Sequence, residues 1–136
     1  MLAGRATLPG RPWGREVVDL VYARLGRRVL SVSEPTKRAD LRPECAFAVL
    51  YIMLDAKHRI RYVGKTSRTY GDPLIIRWAE HANGGPPRPV PWEAAVSVWL
   101  DEDAGDAELA AAENVLIAAL CPPDNRILPS ARRVGN

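Results

Sequence analysis

Apolar positions along the chain follow first a helical period, then a strand period, then alternate between the two. From Arg15 to Arg28, Val17, Val18, Val21, Tyr22 and Leu25 recur at three-to-four spacing, which predicts a helix with Gly26 near its end. Ala46 to Leu54 is a nearly continuous apolar run, as a central strand requires. Asp55-Ala56-Lys57-His58 is polar and turn-like, and Ile60 to Gly64 reads as a second short strand, so the pair predicts a β-hairpin. Asp72-Pro73 marks a helix start, because Asp caps and Pro suits the first helical position. That helix runs through His81 and ends at Asn83-Gly84-Gly85-Pro86-Pro87. Ala94 to Leu100 alternates apolar residues with Ser97 in a third strand. Asp106 to Leu120 is an alanine-rich helix stopped by Cys121-Pro122-Pro123. The order β-β-α-β-α predicts a small α+β domain with a three-stranded sheet.

The segments before this pattern are less regular. Met1 to Gly14 is rich in Gly, Pro and Arg and reads as a loose arm, and Pro35 and Pro43 break the stretch from Val29 to Glu44. The expected organisation is therefore an N-terminal arm and helix, residues 1–44, packed on a main domain, residues 45–136. The first part is too short to be an independent DNA-reading domain.

Composition narrows the partner class. With 136 residues and 47% hydrophobic positions the chain can bury a core, so wholesale disorder is excluded. The net charge of +3 is modest, but its distribution is uneven. Basic residues crowd the N-terminal part and the hairpin (Lys57, Arg59, Arg61, Lys65, Arg68), and acidic ones gather from Asp101 to Glu108. A basic half suggests a phosphate-facing surface, although a solvated charged surface explains it equally. Cys45 and Cys121 lack metal-ligand spacing and read as small buried side chains. No apolar stretch is long enough to cross a bilayer and no secretory leader is evident, so a cytoplasmic protein without membrane contact is expected.

Several residues stand out chemically. Glu113 lies among Leu109, Ala112, Leu116 and Ile117, which define the buried side of the last helix. A carboxylate there is costly unless paired or metal-bound; the ordinary reading is a boundary glutamate that bends to solvent. Asp106 and Glu108 in the first turn suit the helix dipole and read as structural. Arg77 and His81 share a helical face and together suit a phosphate, but Glu80 offers Arg77 a plain surface ion pair. Tyr51 reads as a core aromatic, Gly64 as a place of close approach or a turn, and Asn125 as an Asx-turn residue. Lys65 is a cation near the tyrosines, and a nearby cation favours phenolate.

Taken together, Val49-Leu50-Tyr51, Tyr62-Val63-Gly64 with Lys65, Arg77-x-x-x-His81, Glu113 and the proline–asparagine pair ending at Asn125 resemble the GIY-YIG nuclease family, from Ala46 to Ile127. The resemblance implies a three-stranded antiparallel sheet flanked by helices and a metal-dependent cleavage of DNA phosphodiesters. It implies Tyr51 as general base or water-orienting group, Lys65 lowering its pKa, and Tyr62 holding water or phosphate. Arg77 would neutralise the scissile phosphate and His81 would support the nucleophile or the phosphate. Gly64 would make room beside the substrate, with Arg68 in a DNA-contacting loop. Glu113 would bind one Mg²⁺ or Mn²⁺, and Asn125 would hold the site loop or touch substrate. The first motif departs from the family, reading Val-Leu-Tyr, and the segment from Thr66 to Pro73 is longer than in compact members. Arg68 is thereby a rival for the arginine role.

DNA is the expected partner, with RNA left open, and a homodimer or second protein would supply specificity. The competing readings are a nucleic-acid-binding module of the same fold without cleavage, a nuclease toxin effector, and an ordinary α+β interaction domain.

Overall fold

The computed structural model describes residues 8–40, 48–66, 90–101 and 104–126. Two helices, α1 (Arg15–Leu25) and α2 (Asp106–Leu120), accompany four strands: β1 (Val29–Val32), β2 (Val49–Leu54), β3 (Ile60–Thr66) and β4 (Ala94–Leu100). The strands form one antiparallel sheet in the order β1-β4-β2-β3. The expected α+β class holds, but the sheet has four strands where the sequence pattern predicts three.

The extra strand comes from Val29–Val32, in a stretch whose prolines had argued against regular structure. Its pairing with β4 (Val29↔Leu100, Ser31↔Trp99, Val32↔Val98) covers an edge that β4 would otherwise expose. Pairing continues irregularly beyond it. Ser33 N donates to Ser97 O at 2.9 Å, and Thr36 and Ala95 exchange backbone hydrogen bonds. Pro35 is therefore tolerated at the sheet's margin, as edge geometry allows.

The main core lies between one face of the sheet and the two helices. Leu50, Ile52 and Leu54 of β2, with Val96, Val98 and Leu100 of β4, meet Val17, Val21 and Leu25 of α1 and Leu109, Ala112, Leu116 and Leu120 of α2. These are the period-two and period-3.6 positions of their elements. Across β2 and β4 they sit in shared rows, Leu50↔Val98 and Ile52↔Val96. The opposite face carries a second cluster of Tyr51, Met53, Tyr62, Trp92 and Ala95. Every residue of β2 is thus buried on one face or the other, which explains its continuous apolar run.

The predicted limits of β4 and α2 hold. Helix α1 stops earlier than expected, at Leu25, and Gly26–Arg28 tightens into a 3₁₀ turn with Gly26 at φ 64°. β3 runs past Gly64 to Thr66. The expected helix from Asp72 to His81 lies outside the described residues. Cys121 is exposed, not buried: it ends α2 in the left-handed region, and its N–H donates to Ile117 O. Among the described residues no helix is long and apolar enough to cross a membrane.

The N-terminal arm is not loose over residues 8–14. Pro12 bridges Arg59, Trp13 N donates to His58 O (2.8 Å), and Ile60 N donates to Arg11 O (2.8 Å). Backbone approach is closest at Gly10, where a Cβ would stand 1.7 Å from Ile60 O. Gly10→Ala should therefore lift the arm and cost about 1–3 kcal/mol of stability. Gly14→Ala, where a Cβ meets nothing within 4 Å, should be nearly silent. Thermal melts of the two variants check this, and equal Tm values would refute the close approach.

Candidate active site

The hairpin that carries the two tyrosines is closed by Asp55. Its Oδ1 accepts from Lys57 N (2.8 Å) and Arg59 N (3.0 Å), while His58 takes φ 58° at the turn. Register then sets what each residue meets. Tyr51 pairs with Gly64 on one side and Ser97 on the other, whereas Met53 pairs with Tyr62 and Ala95. Tyr51 and Tyr62 consequently stand on one face, their ring centroids 6.3 Å apart at 32°. Tyr51 is 1% exposed and Tyr62 4%.

Gly64 does make room, and the occupant is the Tyr51 ring. A Cβ at residue 64 would come within 2.3 Å of both Cζ and the phenolic oxygen. Small residues on both flanks, Gly64 and Ser97, leave the ring space to lie across the sheet. Lys65 pairs with Leu50, a helix-facing residue, so register puts it on the face away from Tyr51.

Glu113 lies on the buried side of α2, 7% exposed, beside Ala112 and Leu116. The sequence alternative of a carboxylate bending out to solvent is not what the structure has. Helix α2 packs on the opposite sheet face from the tyrosines, chiefly along β3 and β2. A ligand shared by Glu113 and the tyrosines would have to lie where the two faces meet, at the outer edge of β3.

Asn125 holds that edge. Its Oδ1 accepts from Val63 N (2.8 Å) and its Nδ2 donates to Val63 O (2.9 Å). The side-chain amide thus pairs with β3 as a neighbouring strand would, satisfying two buried backbone groups. The amide ties the turn after α2 to β3, where the sequence pattern predicts a local Asx turn. Arg68, Arg77 and His81 lie outside the described residues.

Three residues of this region escaped the sequence reading: Arg61, Trp92 and Asp124. Asp124 Oδ1 accepts from Arg61 Nη2 (2.9 Å), and its Oδ2 accepts from Trp92 Nε1 (2.7 Å). Arg61 Nη1 also donates to Leu8 O (2.6 Å). The indole of Trp92 stacks on Tyr62 at 5.0 Å and 26°. Both side chains of the ion pair are nearly buried (1% and 6% exposed), where removing one partner costs roughly 3–5 kcal/mol. The signals were present but indistinct: an arginine within a strand and an aspartate after a double proline.

Two surface cavities lie away from the tyrosines. One, of about 400 Å³, opens beside the hairpin turn, where Lys57 and Arg59 are offset by Asp55 and Glu93. The other, of about 780 Å³, runs between α1 and the stretch after β1, past Trp13, Tyr22 and His58.

No protein-family model, curated protein or solved structure matches this chain. The candidate site therefore stands on its residues and their geometry.

A metal ion fits Glu113 in one form only. Among the described residues no three His, Cys, Asp or Glu side chains gather as a ligand group. A closed protein cage of the zinc or calcium kind does not match this donor set. A single carboxylate suits Mg²⁺, which keeps most of its waters and takes further oxygens from phosphate.

The contact of Gly64 with Tyr51 gives a direct test. Gly64→Ala should displace the phenol and cost about 1–3 kcal/mol, as overpacking does. In a Tyr51→Ala background most of that penalty should vanish. Denaturant unfolding of the four proteins measures the coupling, and additive losses would mean that the ring does not cover residue 64.

Proposed function

We propose that this chain is a metal-dependent endonuclease of the GIY-YIG type, hydrolysing phosphodiester bonds in DNA. The observation that supports this most is the hairpin register, in which the Tyr51 ring lies over Gly64 with Tyr62 on the same face. The two motif tyrosines and the motif glycine thereby form one constellation rather than three separate matches. Glu113, the carboxylate that the resemblance assigns to the metal, is buried on α2.

In this reading the Tyr51 oxygen accepts a proton from the attacking water or orients it, and Tyr62 holds the water or a phosphate oxygen. Arg77 meets the negative charge that grows on the phosphate in the transition state. His81 steadies the nucleophile. Glu113 would hold one Mg²⁺ or Mn²⁺, and that ion would supply Lewis acidity at the phosphate. Lys65, across the sheet from Tyr51, acts on the phosphate backbone or on Glu113's side of the edge rather than by contact with the Tyr51 phenol. Basic residues of the arm and hairpin extend the phosphate surface.

A second reading is favoured by one observation. Tyr51 and Tyr62 are almost wholly covered, as core aromatics are. A nucleic-acid-binding module of this fold would keep both as packing residues and would not cleave.

Incubation with supercoiled plasmid and Mg²⁺ or Mn²⁺ separates the two. Metal-dependent nicking is expected, lost with EDTA and in Glu113→Gln, with DNA binding retained in that variant. Tyr51→Phe should slow cleavage about 10²–10⁴-fold, the range for loss of general base catalysis, with Tm little changed. Equal turnover in Tyr51→Phe would remove the base role. Arg77→Ala should impair turnover more than Arg68→Ala, and the reverse ranking would move the arginine role to Arg68. Folded wild type that binds but never cleaves DNA or RNA would leave the binding module.

A further inference from the structure

Tyr62 is held directly by Trp92 and through its two chain neighbours by Asp124 and Asn125. Asp124 takes the residue before it, Arg61, by a 2.9 Å charge-assisted hydrogen bond. Asn125 takes the residue after it, Val63, at both backbone groups. Trp92 takes Tyr62 itself, stacked at 5.0 Å. Asp124 and Asn125 belong to one 3₁₀ turn, Pro123–Arg126, directly after α2.

We infer that Trp92 and Asp124 are positioning residues, an indole–carboxylate clamp that fixes the Tyr62 ring at the edge where α2 and β3 meet. The inference rests on the nuclease reading only in giving Tyr62 a task; the clamp itself stands on contacts.

Each member is needed for a different physical reason. Stacking alone is a modest attraction that leaves the in-plane orientation of the indole unfixed. The 2.7 Å bond from Trp92 Nε1 to Asp124 Oδ2 removes that freedom by fixing the indole's orientation. Trp92 precedes β4, so sheet register does not fix it. The cross-strand neighbour of Tyr62 is Met53, a flexible side chain that fills space without defining it. Asp124 in turn is fixed by Arg61, so a carboxylate oriented at both oxygens orients the indole. The clamp also bridges the two faces of the sheet. The turn that supplies Asp124 follows the helix carrying Glu113 after Cys121 and Pro122, so the clamp ties the end of α2 to β3.

The test uses Trp92→Phe, which keeps an aromatic ring for stacking but removes the N–H donor together with part of the indole, and Trp92→Leu, which removes the aromatic stacking as well. Asp124→Asn risks unfolding because it weakens a buried ion pair, so the tryptophan variants carry the experiment. In the full chain labelled with 3,5-difluorotyrosine, a fixed ring gives two fluorine lines and a flipping ring one. The Tyr62 signal is assigned by its loss in Tyr62→Phe. Two Tyr62 lines are expected in wild type, merging in Trp92→Phe at lower temperature and in Trp92→Leu throughout, while Tyr51 is unaffected. Identical Tyr62 line shapes in all three proteins would overturn the clamp.

With plasmid as substrate, Trp92→Phe should lower kcat about 10- to 100-fold at unchanged KM, as misplacement of a reacting group does, with a lower Tm because Asp124 Oδ2 loses its buried donor. A fall in Tm with unchanged kcat would mean that Trp92 is a packing residue only and would overturn its positioning role. Absence of cleavage by wild type would defeat the nuclease reading, and the fluorine line shapes would still decide whether the ring is held.

Discussion

Asp124 is a carboxylate held almost out of water between a guanidinium and an indole, and four separate stretches of chain converge on it and its ion-pair partner Arg61. Arg61 brings β3, Trp92 brings the approach to β4, the turn itself brings the end of α2, and Arg61's second nitrogen brings the arm at Leu8. A buried charge tolerates few alternatives, because losing any one partner leaves desolvation uncompensated. The cost of error at this point gives the fold its definition at the β3 edge. Asn125, one residue on, completes that edge with an amide where a further strand would otherwise be needed.

The sheet separates two kinds of work. One face is an aliphatic core, shared with α1 and α2, that gives the domain its stability through ordinary burial. The other holds an aromatic cluster in which size matters position by position: Tyr51 fits because Gly64 and Ser97 are small. The motif tyrosines fall on the second face, while Lys65 and the helix that carries Glu113 lie on the first, and the turn after α2 joins the two at the β3 edge.

Much of this was legible in the residues, and for definable reasons. Continuous burial of Val49–Leu54, the limits of Ala94–Leu100 and Asp106–Leu120, and the Asp55 turn all express local period and turn chemistry, which short sequence windows contain. Glu113 was legible as a carboxylate on a helix's apolar side, and the structure keeps it buried there. β1 was not legible, because a four-residue strand beside a proline is stabilised by the β4 edge it covers rather than by its own pattern. The ordered arm was hidden for the same reason: its hydrogen bonds go to His58, Arg59 and Ile60, far along the chain.

By itself the sequence determined the helix and strand periods, the hairpin, the α+β class, and the order of tyrosines, glycine and glutamate that resembles the GIY-YIG pattern. These depend on neighbours within a few positions, so a linear reading reaches them. Only the tertiary structure decided that Gly64 accommodates Tyr51, that Lys65 faces away from it, and that Arg61, Trp92 and Asp124 lock Tyr62 in place. Those outcomes depend on strand register and on contacts spanning tens of residues. A shift of one position would reverse every side chain's face, and no local pattern in the chain specifies that choice alone.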